Sequence, residues 1–411
     1  MSFSFGDSRD WFFTHRFGLF VHWGLYALGE WHEQDQFRRR IPRDQYAAQV
    51  HQFNPRRFDP DVWLDMAEAA GMSYLCFTTK HVDGFCLWDS DETQYKVTRT
   101  PYGRDVLAML ADACHRRDFP LCLYYSVADM HHPNYPNAGR SYELPAPDPG
   151  DEPDLGKYLA YVEAQVRELC TRYGEIHGFW WDANVIEHRD PRFNALIREL
   201  QPSAVINGRG FGEGDFDTPE REYERSVDEV LAFDRPTEAC QSVGMESWGY
   251  RADEDYYTVA HLVRSMDKVL AKGGNYLLNL GPRGDGTFPE EALRVLDLVG
   301  RWYTAVRECF EGAEPAPEVT DNRTVLITRR GNTLYVHLYQ PAAGTALYLP
   351  PITVLPQSAV LLNTGASVET SIELTPARYA DGPCLRLRNL PLDEMPGTVP
   401  VIRLEFANLE G

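Results

Sequence analysis

Short apolar runs alternate with stretches of helical period over the first three quarters of the chain. Runs suited to buried strands fall at 17–22, 74–80, 121–126, 178–182, 204–207 and 276–281. Between them lie amphipathic stretches at 60–70, 105–117, 155–173, 193–200, 257–271 and 289–306. Asp59-Pro60 reads as a helix N-cap followed by a first-turn proline, and Gly71 as a helix stop. Strands alternating with helices predict an α/β fold with a parallel sheet and helices outside it. Six clear units with weaker ones among them, and no G-x-G-x-x-G after the first strand, favour a (β/α)8-like barrel of the TIM type over residues 1–312. Past 311–317 (Glu-Gly-Ala-Glu-Pro-Ala-Pro) the period changes. Alternating runs at 324–328, 333–339 and 346–349, broken by Gly, Pro and Asn, predict a C-terminal antiparallel β-sandwich over 313–411.

Composition narrows the classes of partner. Lys and Arg total 40 against 61 Asp and Glu in 411 residues, a net charge of −21. A field of that sign repels nucleic acid and anionic membranes, so neither is expected as a partner. No basic start followed by an apolar core opens the chain, and no apolar run nears the roughly 20 residues of a membrane span. A soluble, cytoplasmic protein is therefore expected, with homo-oligomerisation left open. The 8 cysteines show no C-x-x-C spacing and read as small buried hydrophobes. The aromatic share, 12 % with 9 Trp and 22 Tyr, exceeds what core filling calls for.

In a barrel of this kind, chemistry sits at the C-terminal strand ends. Those ends carry His22-Trp23-Gly24, Lys80-His81-Val82-Asp83-Gly84, Tyr124-Tyr125-Ser126, Trp180-Trp181-Asp182 and Asn207-Gly208-Arg209. Rings beside directional hydrogen-bonding groups suit a sugar, whose apolar face stacks while its hydroxyls pair. Glycosidic cleavage with retention needs two carboxyl groups, one to attack and one to protonate the leaving oxygen. Asp182 is placed to be the nucleophile, although its position is equally that of a helix N-cap. The acidic segment 213–222 reads by default as a solvated acidic loop, and although it offers many partners, spacing alone selects none of them.

The residues also resemble a known family. Phe17-Gly18-Leu19-Phe20-Val21-His22-Trp23-Gly24, Thr78-Thr79-Lys80-His81-Val82-Asp83-Gly84-Phe85 with Leu87-Trp88-Asp89-Ser90, and Gly178-Phe179-Trp180-Trp181-Asp182 resemble signatures of the α-L-fucosidases of glycoside hydrolase family 29. So do Ser247-Trp248-Gly249-Tyr250-Arg251 and the segment 272–282, all in order between about residues 11 and 307. The resemblance implies a retaining exo-glycosidase that releases terminal α-L-fucosyl residues from oligosaccharides or glycoconjugates, without metal or organic cofactor. It implies Asp182 as nucleophile and Glu220, in Asp215-Phe216-Asp217-Thr218-Pro219-Glu220, as acid/base, with Glu238 and Glu222 in reserve. His22, Glu30, Trp31, His81, Trp181 and Arg209, and one of Tyr124 or Tyr125 with Tyr125 preferred, are implied at the substrate.

Two positions depart from the family pattern. Val82 stands where the family has a second histidine, and Ala183 where many members have glycine. A lost hydrogen bond to a buried hydroxyl costs about 1–3 kcal/mol. Val82 therefore opens two alternatives, a glycosidase with altered sugar specificity and a catalytically weak carbohydrate-binding homologue. A zinc hydrolase is less well supported, because strand one ends in a lone His22 and no H-E-x-x-H occurs. Gly273-Gly274-Asn275 and 281–286 read as tight turns in preference to phosphate cradles.

Overall fold

A computed structural model of the chain describes residues 3–221, 230–341, 343–376, 379 and 382–409. Seven parallel strands form one curled sheet: β1 (Phe17–Val21), β2 (Leu75–Lys80), β3 (Leu121–Ser126), β4 (Gly178–Asp182), β5 (Val205–Ile206), β6 (Glu238–Ser242) and β7 (Asn275–Leu280). Their order is β5-β4-β3-β2-β1-β7-β6. The gap between β5 and β6 is spanned by single bridges. Phe216 pairs with Asn207 on one side, and Asp217 and Glu220 pair with Thr237 and Cys240 on the other, all in parallel sense. Residues 216–220 thus occupy the position of an eighth strand, and Glu220 lies at its C-terminal end.

Strand parity divides the side chains into two sets. One buried cluster holds Phe20, Cys76, Cys122, Tyr124, Trp180, Val205, Phe216, Cys240 and Leu277, taken from every strand position. This is the barrel interior. The alternate residues, among them Leu19, Phe77, Tyr125, Phe179, Trp181, Ile206 and Leu278, join the larger core under the helices. The helices Pro60–Ala69, Val106–Arg116, Leu155–Arg172, Arg192–Leu200, Val259–Ala271 and Glu290–Val306 follow the sequence periodicity closely. Asp59 caps the first through the Asp61 N–H at 3.0 Å. The N-terminal turns close the bottom of the barrel, where Phe12 packs on Phe216 with ring centroids 4.8 Å apart.

Two segments differ from the sequence reading. Glu238–Ser242 was not among the expected strands, because its residues, Glu-Ala-Cys-Gln-Ser, show no apolar run. They are buried all the same, since both strand edges are paired and the polar groups find partners inside. Segment 213–222 reads as a solvated acidic loop, yet Asp215 is clamped by Arg9 and Arg198, each at 2.7 Å, and accepts the Ile206 N–H at 2.8 Å. That clamp anchors the start of the bridging segment, and Phe216 fills the barrel interior.

Beyond the last barrel helix, antiparallel sheets of six and three strands follow. Leu334, Val336, Ile402 and Leu404 of the larger and Leu349, Leu385 and Leu387 of the smaller share one core, the face-to-face arrangement of a sandwich. The larger sheet also contacts the barrel, where His337 Nδ1 lies 2.7 Å from Asp267 and Trp302 donates to the Val399 carbonyl at 2.9 Å. All eight cysteines are buried and none is disulfide-bonded.

Candidate active site

A cavity of about 500 Å³ opens at the C-terminal end of the barrel strands, within the range of ligand pockets. Its lining includes His22, Glu33, His81, Tyr124, Trp180, Asp182, Arg209, Glu220 and Trp248. β1 and β2 lead into His22 and His81, β3 carries Tyr124, β4 ends in Asp182, Arg209 follows β5, and Glu220 ends the bridging segment. On β2 an irregularity between Thr78 and Lys80 breaks the alternation, so Lys80 turns outward and His81 turns into the cavity.

Asp182 ends β4 and its side chain is 24 % exposed, entirely within this cavity's reach. Its Oδ2 accepts the Tyr124 hydroxyl at 2.7 Å, and its Oδ1 lies 3.4 Å from Arg209 Nε. Burial raises the carboxyl's pKa, but the Arg209 charge, the Tyr124 hydrogen bond and His81 outweigh it and hold the group below the usual carboxylate value. Arg209 also donates through Nη1 to Glu220 Oε1 and lies over the Trp180 ring, 4.9 Å from its centroid. One guanidinium therefore touches both carboxylates.

His22 has a defined tautomer. Asn279 Nδ2 donates to the Trp248 carbonyl at 2.7 Å and to Ser242 Oγ at 3.1 Å, so its Oδ1 must be the atom facing His22 Nδ1 at 2.7 Å. His22 consequently carries its proton on Nδ1. Burial, with His81 alongside, pushes its pKa down to about 4, so the ring is neutral at pH 7 and its Nε2 is an acceptor. His81 stacks on Tyr124 at 5.7 Å and 13°.

Glu33 is a charged group that sequence reasoning did not single out. Its Oε2 accepts from Ser247 Oγ at 2.8 Å, Trp248 N at 2.9 Å and Gly249 N at 3.2 Å. Burial works against ionisation, but His32, His81 and His22 hold the carboxyl at about 2. Glu33 thereby fixes the loop that presents Trp248, whose ring stands beside His22 at 5.4 Å. Arg221 covers the other side of Trp248 at 4.7 Å.

The remaining expected residues lie elsewhere. Glu30 and Trp31 do not line the cavity: Glu30 is exposed, and Trp31 stacks under Arg39 at 4.0 Å. Tyr125 and Trp181 face outward by strand parity. The Tyr125 hydroxyl bonds Gln165 at 2.7 Å and its ring lies 4.3 Å from Lys80 Nζ, while Trp181 donates to Asn194 at 3.0 Å. Their neighbours Tyr124 and Trp180 are the ones at the cavity. Of the reserves, Glu222 falls outside the described residues. Glu238 lies in the barrel interior below the cavity, accepting from Trp180 Nε1 at 3.0 Å and the Tyr74 hydroxyl at 2.7 Å. Gly18 leaves room for that hydroxyl's ring, since a Cβ there would come within 2.3 Å of Tyr74.

Burial pushes the Glu238 carboxyl up to about 7, against an ordinary glutamate value of 4.5. A carboxyl with a raised native pKa makes the fold most stable when protonated, and stability falls as pH rises from about 4.5 to about 7. The full effect is about 3 kcal/mol. Glutamine fits both partners, because its oxygen can accept from Trp180 and its amide can donate to Tyr74. Glu238→Gln is expected to gain about 3 kcal/mol relative to the parent between pH 4 and pH 8, read from urea midpoints at the two pH values. Equal pH dependence in both proteins would contradict this account of the group.

Comparison with known proteins places this arrangement. A family profile described as Alpha-L-fucosidase matches residues 4–308, which includes every strand of the barrel. The chain belongs to the alpha-L-fucosidase family. It is a glycoside hydrolase. Alpha-L-fucosidase isoenzyme 1 from Paenibacillus thiaminolyticus is 35 % identical in sequence, with a TM-score of 0.85 over 97 % of this chain and 98 % of that one. Tissue alpha-L-fucosidase from Homo sapiens is 26 % identical over 407 residues, covering 89 % of this chain and 84 % of the relative. A Bacteroides thetaiotaomicron alpha-L-fucosidase of GH29, trapped as a covalent intermediate with 2-fluoro-fucosyl fluoride, is 25 % identical with a TM-score of 0.79 over 97 % of this chain and 95 % of that one. The barrel and following β domain of this family member thus match those neighbours along nearly their whole length.

Proposed function

We propose that this member of the family releases terminal α-L-fucosyl residues with retention, through a glycosyl-enzyme ester on Asp182 and acid/base assistance from Glu220. The observation that carries the reading is the shared guanidinium. Arg209 touches Asp182 and Glu220 at once, in a cavity walled by Trp180 and Trp248. In the first half-reaction Asp182 Oδ attacks the anomeric carbon as Glu220 delivers a proton to the departing oxygen. The ester that forms has no charge on Asp182, so the whole Arg209 charge then falls on Glu220. That is the stage at which Glu220 must be an anion, to take a proton from the incoming water.

The surrounding groups are suited to hold the sugar. His22 Nε2 is an acceptor for one hydroxyl, and the Trp180 and Trp248 rings, both in the cavity lining, add apolar surface for a deoxy sugar. Tyr124 donates to Asp182 from the floor, which keeps the attacking carboxylate oriented. Val82, 2 % exposed, brings an apolar wall where a substrate hydroxyl finds no partner.

A panel of 4-nitrophenyl glycosides tests the reading: α-L-fucoside, its configurational relatives at each hydroxyl, and β-D-fucoside. The α-L-fucoside is expected to be the best substrate, with α-L-fucose appearing first by NMR before mutarotation. Release of the β-anomer first would exclude the double displacement. A relative differing at one hydroxyl that outruns the fucoside would show that Val82 redirects the sugar.

A further inference from the structure

A second cavity adjoins the one around Asp182. Arg38 lines both, and the second has a volume of about 580 Å³. The loop 139–145 stands between them, with Tyr142 facing the first cavity and Gly139 and Glu143 facing the second. The floor of the second is apolar, made by Phe37, Ile41 and Leu144.

Its charges do not cancel. Of the acids in its lining, Glu143 is bound by Arg140 at 2.6 Å and by the Tyr135 hydroxyl at 2.6 Å. Asp148 is paired with Arg43 at 3.0 Å, and Arg43 also holds Asp151 at 2.8 Å. Among the described residues, two cations of the lining are left without an acidic partner. Arg38 makes one described hydrogen bond, through Nε to Gln34 at 3.0 Å, and the Arg40 side chain has no partner among the described residues. In a chain of net charge −21, two arginines at a cavity with no acidic partner among the described residues are a local reversal of field. The run Arg38-Arg39-Arg40 supplies them, with Arg39 taken up by Asp35 at 3.2 Å.

The geometry points to a leaving-group subsite for an acidic sugar: the fucosyl residue sits against Asp182, and the next sugar carries a carboxylate or sulfate held between Arg38 and Arg40. The planar guanidinium matches either anion with paired hydrogen bonds, and the apolar floor accepts the carbon face of the ring. This rests on the Asp182 cavity being the fucosyl site.

The test uses three fucosyl disaccharides alike except in the second sugar, which is galactose, galactose 6-sulfate or galacturonate. The expected result is a kcat/KM about tenfold or more higher for an anionic substrate than for the neutral one, carried by KM and shrinking as NaCl rises. Preference for the sulfate alone identifies a sulfated aglycone, and preference for the uronate alone a carboxylate. Arg38→Gln with Arg40→Gln should abolish the preference, and Arg40→Gln alone should reduce it while leaving turnover of 4-nitrophenyl α-L-fucoside unchanged. Equal kcat/KM for all three substrates would overturn the subsite and leave the fucosidase reading standing. Failure on the neutral disaccharide and the aryl fucoside alike would instead overturn the fucosyl site itself.

Discussion

Asp182→Asn is expected to lower kcat/KM on α-L-fucosides by about ten-thousandfold or more, the loss typical of a nucleophile that forms a covalent intermediate. The substitution is nearly isosteric. Asparagine's oxygen can still accept the Tyr124 hydroxyl, which now meets Oδ2 at 2.7 Å, so the fold and the cavity should persist and the far-UV spectrum should not change. What is lost is the negative charge beside Arg209 on which the proposed attack depends. Asp182→Gly extends the test. It empties the space beneath the anomeric carbon, and azide should restore turnover of an activated aryl fucoside, giving the β-L-fucosyl azide by a single inversion. Loss of activity without azide rescue, together with a changed spectrum, would point to a merely structural carboxylate. The pH profile follows from the same contacts. Because Arg209, Tyr124 and His81 hold Asp182 below the usual carboxylate value, its ionised form persists as pH falls until that depressed value is reached. Arg209→Met should therefore move the acidic limb of kcat/KM to higher pH.

Glu220→Ala carries the second large effect, and its signature is a split between substrates. Proton delivery contributes about a hundred- to ten-thousandfold when the leaving group is a sugar alcohol. A 2,4-dinitrophenyl fucoside needs almost no protonation to depart, so its first half-reaction should be slowed far less than that of a disaccharide. Deglycosylation still lacks its base, so the ester should accumulate and KM should fall along with kcat. Equal slowing of the dinitrophenyl fucoside and the disaccharide would move the acid/base elsewhere. Glu238 is poorly placed to inherit the role, being committed below the cavity to Trp180 and Tyr74.

Much of the barrel is legible in the sequence. The strands that carry His22, His81 and Asp182 read as apolar runs with polar ends, and antiparallel pairing begins at Glu314–Pro315, past the change of period in the sequence. The family resemblance brought Arg209 and Glu220 forward, although the acidic segment around Glu220 reads as surface. It is instead a segment bridging β5 and β6, held at its start by Arg9 and Arg198, ion pairs across the fold that no local pattern reveals. Strand parity separates the neighbouring rings. With Asp182 facing inward, the residue two before it, Trp180, must also face inward and Trp181 outward, and the same alternation separates Tyr124 from Tyr125. Glu33 had no such signal, because its role depends on Ser247 and Trp248 arriving from more than two hundred residues away. Glu238–Ser242 was hidden for a related reason. Its polar side chains are satisfied inside the barrel by Tyr74, Trp180 and Asn279, so burial did not require an apolar sequence.

Covalent trapping tests the central claim most directly. Incubation with 2-deoxy-2-fluoro-α-L-fucosyl fluoride should add one fluorofucosyl unit to the intact mass, and peptic mapping should place it on Asp182. The adduct should be absent from Asp182→Asn and should persist longer in Glu220→Ala. An unlabelled protein that nevertheless turns over the aryl fucoside, or a label on any carboxylate other than Asp182, would contradict the double displacement proposed for this site.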